Sequence, residues 1–373
     1  SSSIGTNASL VILPLPQVSY GTVVSGSIHI AYKALRTDLS GSVLDLNNVS
    51  DQEGVLGEAT DENPLGLAVN LALANTVGRI RAIAVASNDL TGYLSALDLA
   101  ENTKLYCLVP LTQSVDILSA FQQHVEQLST PEFASWRITL VNTDIPDVSY
   151  IGQYNPDFVN ANSGNNTVTL VSGNYVLTSS NSQFVSDGVV AGDTVKITSH
   201  APAGQTVTSV TVQSVISNQQ LTVNSPIALT SVNFYVQRTL TRTQQADIVA
   251  ANSTSFESSR VYHVQPDSVG VIIDGVTKYL PGYYLCAAIS GLVSGLPAQQ
   301  SLTNIGLAGV TDLQHSNRYF TRAQLSTISG AGTFLLVQEA AGTIPYIRHS
   351  LSTDMSVLQY REIQQVKNID YLS

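Results

Sequence analysis

The sequence is poor in charge, and no part of it is strongly basic. Charged residues make up 12% of the 373 residues, roughly half of the usual fraction, and Ser, Thr, Asn and Gln provide most of the polar surface. The net charge is −11. Direct nucleic-acid binding is therefore not expected, because it needs clustered Lys and Arg to neutralise phosphates. Such a composition is typical of a protein whose surface is buried in an assembly, or of an extracellular β protein.

Cysteine, methionine and long apolar runs are also scarce. Cys107 and Cys286 each lie in an apolar segment, and we expect two buried thiols in a protein folded in a reducing cytosol, with a disulfide as the alternative. No run of ~18 apolar residues predicts membrane insertion, and no secretion signal is visible. Because the only methionine is Met355 and the chain opens at Ser1, we expect a processed product or a fragment.

Residues 63–141 alternate between helical and strand patterns. Asn63 and Pro64 are suited to the N-cap and first position of a nearly all-apolar helix, and Gly78 is suited to end it. The pattern continues as a strand, a helix, a strand, a helix and a strand, at residues 79–86, 89–100, 105–109, 113–128 and 137–141. Strands separated by helices of this length predict parallel neighbours with right-handed crossovers.

The flanking segments predict a discontinuous α/β domain. Residues 1–62 contain strand candidates at 10–13, 21–24 and 27–32, then an acidic surface loop with one short element. Residues 153–242 are almost uncharged, with short Val/Thr-rich strands typical of a small barrel or sandwich. After residue 260 the α/β pattern returns, with a hairpin turning at Asp274-Gly275. We predict an α/β (α+β) domain of mixed sheet with flanking helices, built from 1–152 and 243–373 and interrupted by an all-β domain at 153–242.

Motifs for nucleotide binding and metal binding are weak or absent. No phosphate-binding loop or nucleophile elbow occurs. Gly330-Ala331-Gly332 lacks a third glycine and precedes a strand, whereas a dinucleotide fingerprint follows one. The acidic residues between Asp45 and Glu62 do not match a calcium loop. None of the six histidines has metal-ligand spacing from another His or Cys; they are His29, His124, His200, His263, His315 and His349.

Two sets of residues contain the side chains found in known catalytic sites. His349, with the adjacent Ser350 and with Asp354, contains the residue types of a Ser-His-Asp set, but a hydrogen-bonded structural histidine is the favoured interpretation. Asp144 and Asp147 could form a carboxylate pair for glycoside cleavage, but nearby Pro146 favours a loop boundary. We expect no enzyme, and no catalytic, cofactor-binding or metal residue; interface residues are not assigned.

Several stretches together resemble the sheath protein of contractile phage tails. They lie in the same serial order as in that family, cover residues 60–142 and 260–373, and are closest to the large sheath proteins of giant phages such as the phiKZ type. The stretches are residues 63–68 (NPLGLA), 108–112 (LVPLT), 124–129 (HVEQLS), 280–284 (LPGYY) with the following Ala-rich helix, and 347–354 (IRHSLSTD).

The resemblance implies a structural subunit of the virion tail sheath, assembled in the host cytoplasm. Such subunits associate in six-fold helical rings around the tail tube, contact baseplate and neck proteins, and contract to drive the tube through the host envelope. Terminal arms add strands to neighbouring sheets, and the inserted β domain lies on the outer surface. The family's tube-facing C-terminal domain would follow residue 373, so we expect this chain to be monomeric.

Two other classes of protein stay open at this point. One is another virion component, such as a tube, baseplate or decoration protein. The other is a surface carbohydrate-binding protein or hydrolase, which would cluster aromatic residues on the β domain for sugar stacking. The aromatic residues there are instead spaced like core residues; they are Phe158, Tyr175, Phe184, Phe234 and Tyr235.

Overall fold

The computed structural model describes residues 39, 41–76, 79–151, 166–201, 207–313, 319–340 and 342–372. They form two compact units, one built from the chain up to Ile145 and from Ala246 onward, the other from Pro146 to Gln245. The predicted domain edges, 153 and 242, lie a few residues inside the limits of the second unit. The strand candidates at 10–13, 21–24 and 27–32 lie outside the described residues.

Helices and strands are numbered in chain order. The helices are α1 Val49–Leu56, α2 Pro64–Ala74, α3 Leu90–Glu101, α4 Val115–Leu128, α5 Arg242–Phe256, α6 Tyr283–Gly295, α7 Arg322–Gly330 and α8 Ile363–Leu372, with a 3-10 turn at Leu358–Tyr360. The strands are β1 Val43–Leu46, β2 Ile80–Ile83, β3 Cys107–Leu108, β4 Ile138–Val141, β5 Val148–Tyr150, β6 Thr167–Val171, β7 Asn174–Thr178, β8 Thr194–Ala201, β9 Ser209–Ser217, β10 Gln220–Val223, β11 Thr230–Thr239, β12 Val261–Gln265, β13 Ser268–Ile273, β14 Val276–Pro281, β15 Val310–Asp312, β16 Thr333–Val337 and β17 Tyr346–His349.

The first unit is built on a five-stranded mixed sheet in the order β17-β16-β12-β4-β3. Strands β3, β4, β12 and β16 are parallel, and β17 is antiparallel to β16. Residues on opposite faces of β4 join different apolar clusters. Ile138 packs with α2 and α6, whereas Val141 packs with α4. Helices therefore cover both faces, which confirms the predicted mixed α/β class.

The prediction that β2 would be a parallel neighbour in this sheet is wrong. β2 instead pairs antiparallel with β1 in a separate two-stranded sheet. Asp45 of β1 lies opposite Arg81 of β2, and the Arg81 Nε atom is 2.8 Å from the Asp45 carboxylate. Pairing between β1 and β2 was not visible in the helix–strand alternation, because β1 lies in the acidic stretch that was predicted to be mostly loop.

Helix α2 begins as predicted. The Asn63 side chain accepts a hydrogen bond from the Gly66 backbone N–H at 3.1 Å, and Pro64 takes the first helical position. The helix ends at Ala74, earlier than Gly78, because the Asn75 amide donates to the Leu71 carbonyl and closes the last turn.

The sequence pattern does not predict helix α5, because its sequence is largely polar and only Ala246, Val249 and Phe256 join apolar clusters. The described chain ends with the 3-10 turn followed by α8.

The hairpin of β13 and β14 is confirmed. Asp274 and Gly275 have φ of 52° and 77°, the two positive values of a type I′ turn. With β15 these strands form a three-stranded sheet in the order β14-β13-β15.

The second unit is a small β barrel. Its seven strands follow the order β5-β11-β8-β9-β10-β7-β6. Main-chain bonds between Val168 and Leu229, at 2.8 Å in both directions, join β6 back to the beginning of β11. The Asp193 carboxylate, whose side chain is 2% exposed, binds the Arg238 guanidinium through both oxygens at 2.7 and 2.8 Å. This bidentate pair fixes the turn before β8 to strand β11.

Candidate functional site

The residues that resemble a Ser-His-Asp set do not assemble into one. His349 is exposed at the end of β17. Ser350 is buried, and its hydroxyl donates to the Gln364 side chain at 3.1 Å. The Asp354 carboxylate accepts from the Ser356 backbone and hydroxyl at 2.9 and 2.5 Å. Ser350 and Asp354 thus have structural partners of their own, whereas His349 faces solvent.

The other chemical candidates have local structural roles. Asp144 is exposed, and Asp147 accepts a hydrogen bond from the Gln245 amide at 3.2 Å. Gly330-Ala331-Gly332 is the turn between α7 and β16. At Gly332, where φ is +80°, a Cβ atom would lie 2.6 Å from the Ser352 carbonyl oxygen. The glycine is explained by this close backbone approach.

A buried polar network surrounds His263 in the central strand β12. The imidazole Nδ1 lies 2.6 Å from the Ser253 hydroxyl, and Nε2 lies 2.8 Å from the Thr143 hydroxyl. Ser253 also contacts the Thr333 hydroxyl at 2.5 Å. All four side chains are at least 96% inaccessible to solvent, so this serine and histidine join α5 to the sheet and have no path to a substrate. Sequence reasoning missed this network because its members lie up to 190 residues apart along the chain.

Both cysteines are free thiols, as predicted. Cys286 is fully buried in α6 and Cys107 is half-buried in β3. Burial raises the pKa of the Cys107 thiol to about 12 and the pKa of Cys286 well above its ordinary value. Neither thiol is a reactive thiolate near neutral pH.

A slot lies between β2 and β3 in the described part of the first unit. It has a volume of about 440 Å³, and every residue of the two stretches 79–85 and 104–109 lines it. Its remaining walls are side chains of four helices. Leu65, Ala68, Val69 and Ala72 of α2 and Ala287, Ser290 and Ser294 of α6 form one wall, and Tyr93, Ala96, Leu97 and Ala100 of α3 with Phe121 of α4 form the other.

The slot lies between two strand edges. Among the described strands, β2 is hydrogen-bonded only to β1, and β3 only to β4. At one end the Arg81 guanidinium donates to the Lys104 carbonyl and connects the two sides.

An exposed apolar surface occurs on the β13–β14 hairpin. Ile272 and Val276 are 56% and 59% exposed. The hairpin's outer strand β14 also carries Lys278, which binds Asp61 at 2.8 Å, and ends at Pro281. A lysine and a proline protect an edge strand from uncontrolled pairing.

The aromatic residues named above for the barrel pack on its core where they are described, whereas Tyr150 of β5 is 44% exposed and its ring centroid lies 5.7 Å from that of Tyr235. Phe184 is buried, and Tyr175, Phe234 and Tyr235 pack against the barrel core. Phe158 lies outside the described residues.

In the described ranges, no group of three or more His, Cys, Asp or Glu side chains is placed to hold a metal ion. Among those same residues, no helix combines the length and apolarity that crossing a bilayer requires.

The chain was compared with known families and structures. No family model matches it, and no curated protein matches it. Solved structures to which it is similar are sheath proteins of contractile systems. The anti-feeding prophage helical sheath in its contracted state has a TM-score of 0.48 and 12% identity, over 95% of this chain and 73% of that one. The sheath of the PVC extracellular contractile injection system in its contracted state has a TM-score of 0.48 and 8% identity, over 95% of this chain and 72% of that one. A sheath tail protein from Listeria innocua has a TM-score of 0.35 and 11% identity, over 89% of this chain and 71% of that one.

Proposed function

We propose that this chain is a structural subunit of a contractile tail sheath and that it is not an enzyme. The observation that carries the proposal is the position of the sheath-like stretches. They are far apart in the sequence, yet all of them lie in the α/β unit, where their polar residues and glycines connect its separate segments.

The first of these connections is made by Asn63, in the stretch at 63–68. Besides capping α2, its amide donates to the carbonyl oxygens of Leu56 and Glu58, each at 2.9 Å. One buried side chain thus fixes the chain between α1 and α2. In the stretch at 124–129, His124 contacts the Arg137 guanidinium at 3.0 Å, which connects α4 to the segment before β4.

The later stretches connect segments of the unit that lie far apart in the sequence. At Gly282, between β14 and α6, a Cβ atom would lie 2.4 Å from the Asn142 amide and 2.5 Å from the Pro266 carbonyl oxygen. In the stretch at 347–354, the Thr353 hydroxyl donates to the Ser258 carbonyl at 2.9 Å. Because these residues determine how the unit is built, the resemblance applies to a whole domain and not to isolated peptides.

The composition suits the same role. A contractile lattice must exchange one set of subunit contacts for another, so no single interface can be very large and apolar. A surface rich in uncharged polar residues, as expected from a charged fraction of 12%, makes contacts of moderate strength. We infer helical self-association around a tail tube, with baseplate and neck proteins as further partners, and neither nucleic acid nor membrane as a partner.

Finer points of the proposal concern location and relatives. We infer a position in a virion tail sheath, assembly in the host cytoplasm, and a phage of the giant phiKZ type; this last point rests on the sequence resemblance alone. We also infer that the α/β domain of 1–152 and 243–373 carries the all-β domain of 153–242 on the outer surface of the sheath.

Immunogold electron microscopy of the encoding particle tests these points separately. Antibodies against the whole chain should label the tail along its full length, and antibodies against the barrel should give the same pattern on intact particles. Labelling confined to the baseplate, tube or head would contradict the sheath role. Labelling by the first antibody but not the second would leave the sheath role and overturn the outer position of the barrel.

A further inference from the structure

We propose that the outer face of the barrel strands β5, β11, β8 and β9 binds a neutral glycan. Two tyrosines on this face, Tyr150 and Tyr235, stack on sugar rings, and the polar side chains beside them bind the sugar hydroxyls. This inference adds a binding function to the barrel and does not depend on the sheath role.

The direction of the side chains on these strands follows from burial. Core residues mark the inner face of β8, β9 and β11; they are Val195, Ile197, Val210 and Val236. Because successive side chains of a strand point to opposite faces, the residues that alternate with them belong to the outer face. Tyr150 of β5 also lies there, since the next residue, Ile151, is buried in the same core.

The outer residues form two rows that cross adjacent strands. Each residue lies opposite the next one in its row, and the rows are Tyr150-Gln237-Thr194-Thr211 and Tyr235-Lys196-Ser209. Neighbouring strands are ~4.8 Å apart and alternate residues of one strand are ~7 Å apart. These residues, the tyrosine patch, therefore cover roughly 14 by 7 Å, an area that matches a short stretch of a glycan chain.

The two tyrosine rings provide the stacking surface of the patch. Tyr150 is 44% exposed, and its ring centroid lies 5.7 Å from that of Tyr235 with an angle of 66° between the ring planes. Tyr235 also packs against the barrel core, which holds its ring in place. Sugar rings have apolar C–H faces, and a tyrosine binds them with a large, rigid ring and a polar tip at low cost in conformational entropy.

The polar members of the tyrosine patch are available to a ligand. Within the described part of the chain, the side chains of Thr194, Lys196 and Gln237 make no hydrogen bond to another protein group. Their hydroxyl, ammonium and amide groups can therefore pair with sugar hydroxyls, each of which both donates and accepts.

The composition of the patch disfavours two other kinds of partner. It contains no aliphatic residue to form the apolar centre of a protein interface. Lys196 is its only charged residue, which is too little charge to neutralise the phosphates of a nucleic acid. The chain's net charge of −11 also repels acidic polymers. A neutral chain of sugars is the partner that fits.

Binding of the full chain to an oligosaccharide array tests the proposal. The array carries neutral hexasaccharides of glucose, galactose, mannose and N-acetylglucosamine, with oligo(dT) beside them, and a retained hexasaccharide is then titrated by calorimetry. Wild type should bind one of the sugars, and Tyr150→Ala should weaken that binding at least ~10-fold, as expected for the loss of a stacking ring. Tyr150→Phe keeps the ring and should retain most of the affinity.

Tyr371→Ala is the matched control for these variants. Tyr371 is 82% exposed and lies outside the barrel, so its removal should leave the affinity unchanged. Fluorine NMR adds a readout that needs no alanine variant. In chain labelled with 3-fluorotyrosine, the signals of Tyr150 and Tyr235, assigned from their phenylalanine variants, should shift on titration with the retained hexasaccharide, and the signal of Tyr371 should not.

Four results would overturn the proposal. The first is no retention of any hexasaccharide at millimolar concentration. The second is equal affinity of wild type and Tyr150→Ala, which would place the sugar elsewhere. The third is an equal loss of binding in Tyr371→Ala, which would show that the effect is not specific to the tyrosine patch. The fourth is retention of oligo(dT) in preference to every sugar, which would mean that the tyrosines stack on bases.

Discussion

Single buried polar side chains connect distant parts of this fold. The Arg137 guanidinium donates to the carbonyl oxygens of Ala100 and Glu101 at 2.8 Å and of Thr103 at 3.0 Å. These carbonyls lie at the end of α3, where no intrahelical partner exists. Because arginine only donates, His124 Nε2 must accept its remaining hydrogen bond, and burial beside this cation lowers the pKa of His124 to about 4.

His263 predicts a pH dependence of stability. Its fully buried ring contacts hydroxyl and amide groups, and burial lowers its pKa from 6.5 to about 3. Between these values the unfolded chain binds a proton that the folded chain excludes. The free energy of unfolding should therefore fall as the pH decreases from 6.5 towards 3, with a slope of up to about 1.4 kcal/mol per pH unit from this residue.

Urea unfolding of wild type and His263→Gln across this pH range measures the effect. The variant should show a shallower slope, whatever its stability at neutral pH. His349→Gln, which changes an exposed ring, is the control and should alter the slope much less. An unchanged slope in His263→Gln would mean that the folded protein protonates this ring.

At the scale of helices and strands, the packing of α2 against α6 depends on one glycine. At Gly291 of α6, a Cβ atom would lie 2.2 Å from the Ala72 carbonyl oxygen of α2. The two backbones are in direct contact there, so neither helix can yield without moving the other. This contact places Cys286 and its apolar neighbours over the sheet.

Gly291→Ala should therefore lower the free energy of unfolding by at least about 1–3 kcal/mol, the usual cost of overpacking a core. Gly54→Ala is the matched helical control, because a Cβ atom at Gly54 meets nothing within 4 Å. That change should be neutral or should stabilise by up to about 1 kcal/mol. Similar denaturation midpoints for the two variants would show that α2 and α6 are not in this close contact.

Local signals predicted much of the secondary structure, and long-range pairing explains most of the errors. Asn63-Pro64 and Asp274-Gly275 are recognisable because a cap and a type I′ turn depend on adjacent residues. Strand β12 escaped prediction because its partners lie at β4 and β16, and buried polar residues such as His263 interrupt its apolar pattern. The slot was equally invisible, since it is defined by strands that do not pair.

At the scale of the whole molecule, the chain leaves the α/β unit before the barrel and returns to it after the barrel at neighbouring points. Ile145 and Ala246 belong to the same apolar cluster. Within the barrel, Val148 of β5 lies opposite Thr239 of β11, so the chain enters and leaves it on adjacent strands. This arrangement is typical of a domain that can be removed without breaking its host.

Replacing residues 146–245 with a short Gly/Ser linker should leave the α/β unit folded, because the replaced segment contributes no residue to that unit's apolar clusters. The midpoint of thermal unfolding, followed by circular dichroism, should stay within several degrees of the corresponding wild-type transition. The excised barrel should give a β-type spectrum and unfold cooperatively. An insoluble linker variant together with an unfolded barrel would contradict two independent folding units.

The most direct test of the sheath proposal is negative-stain electron microscopy of the protein as its host produces it. Hollow helical tubes with six-fold symmetry in end views are expected. Compact single particles alone, at concentrations where sheath proteins polymerise, would contradict the proposed sheath subunit and direct attention to ligands of the barrel.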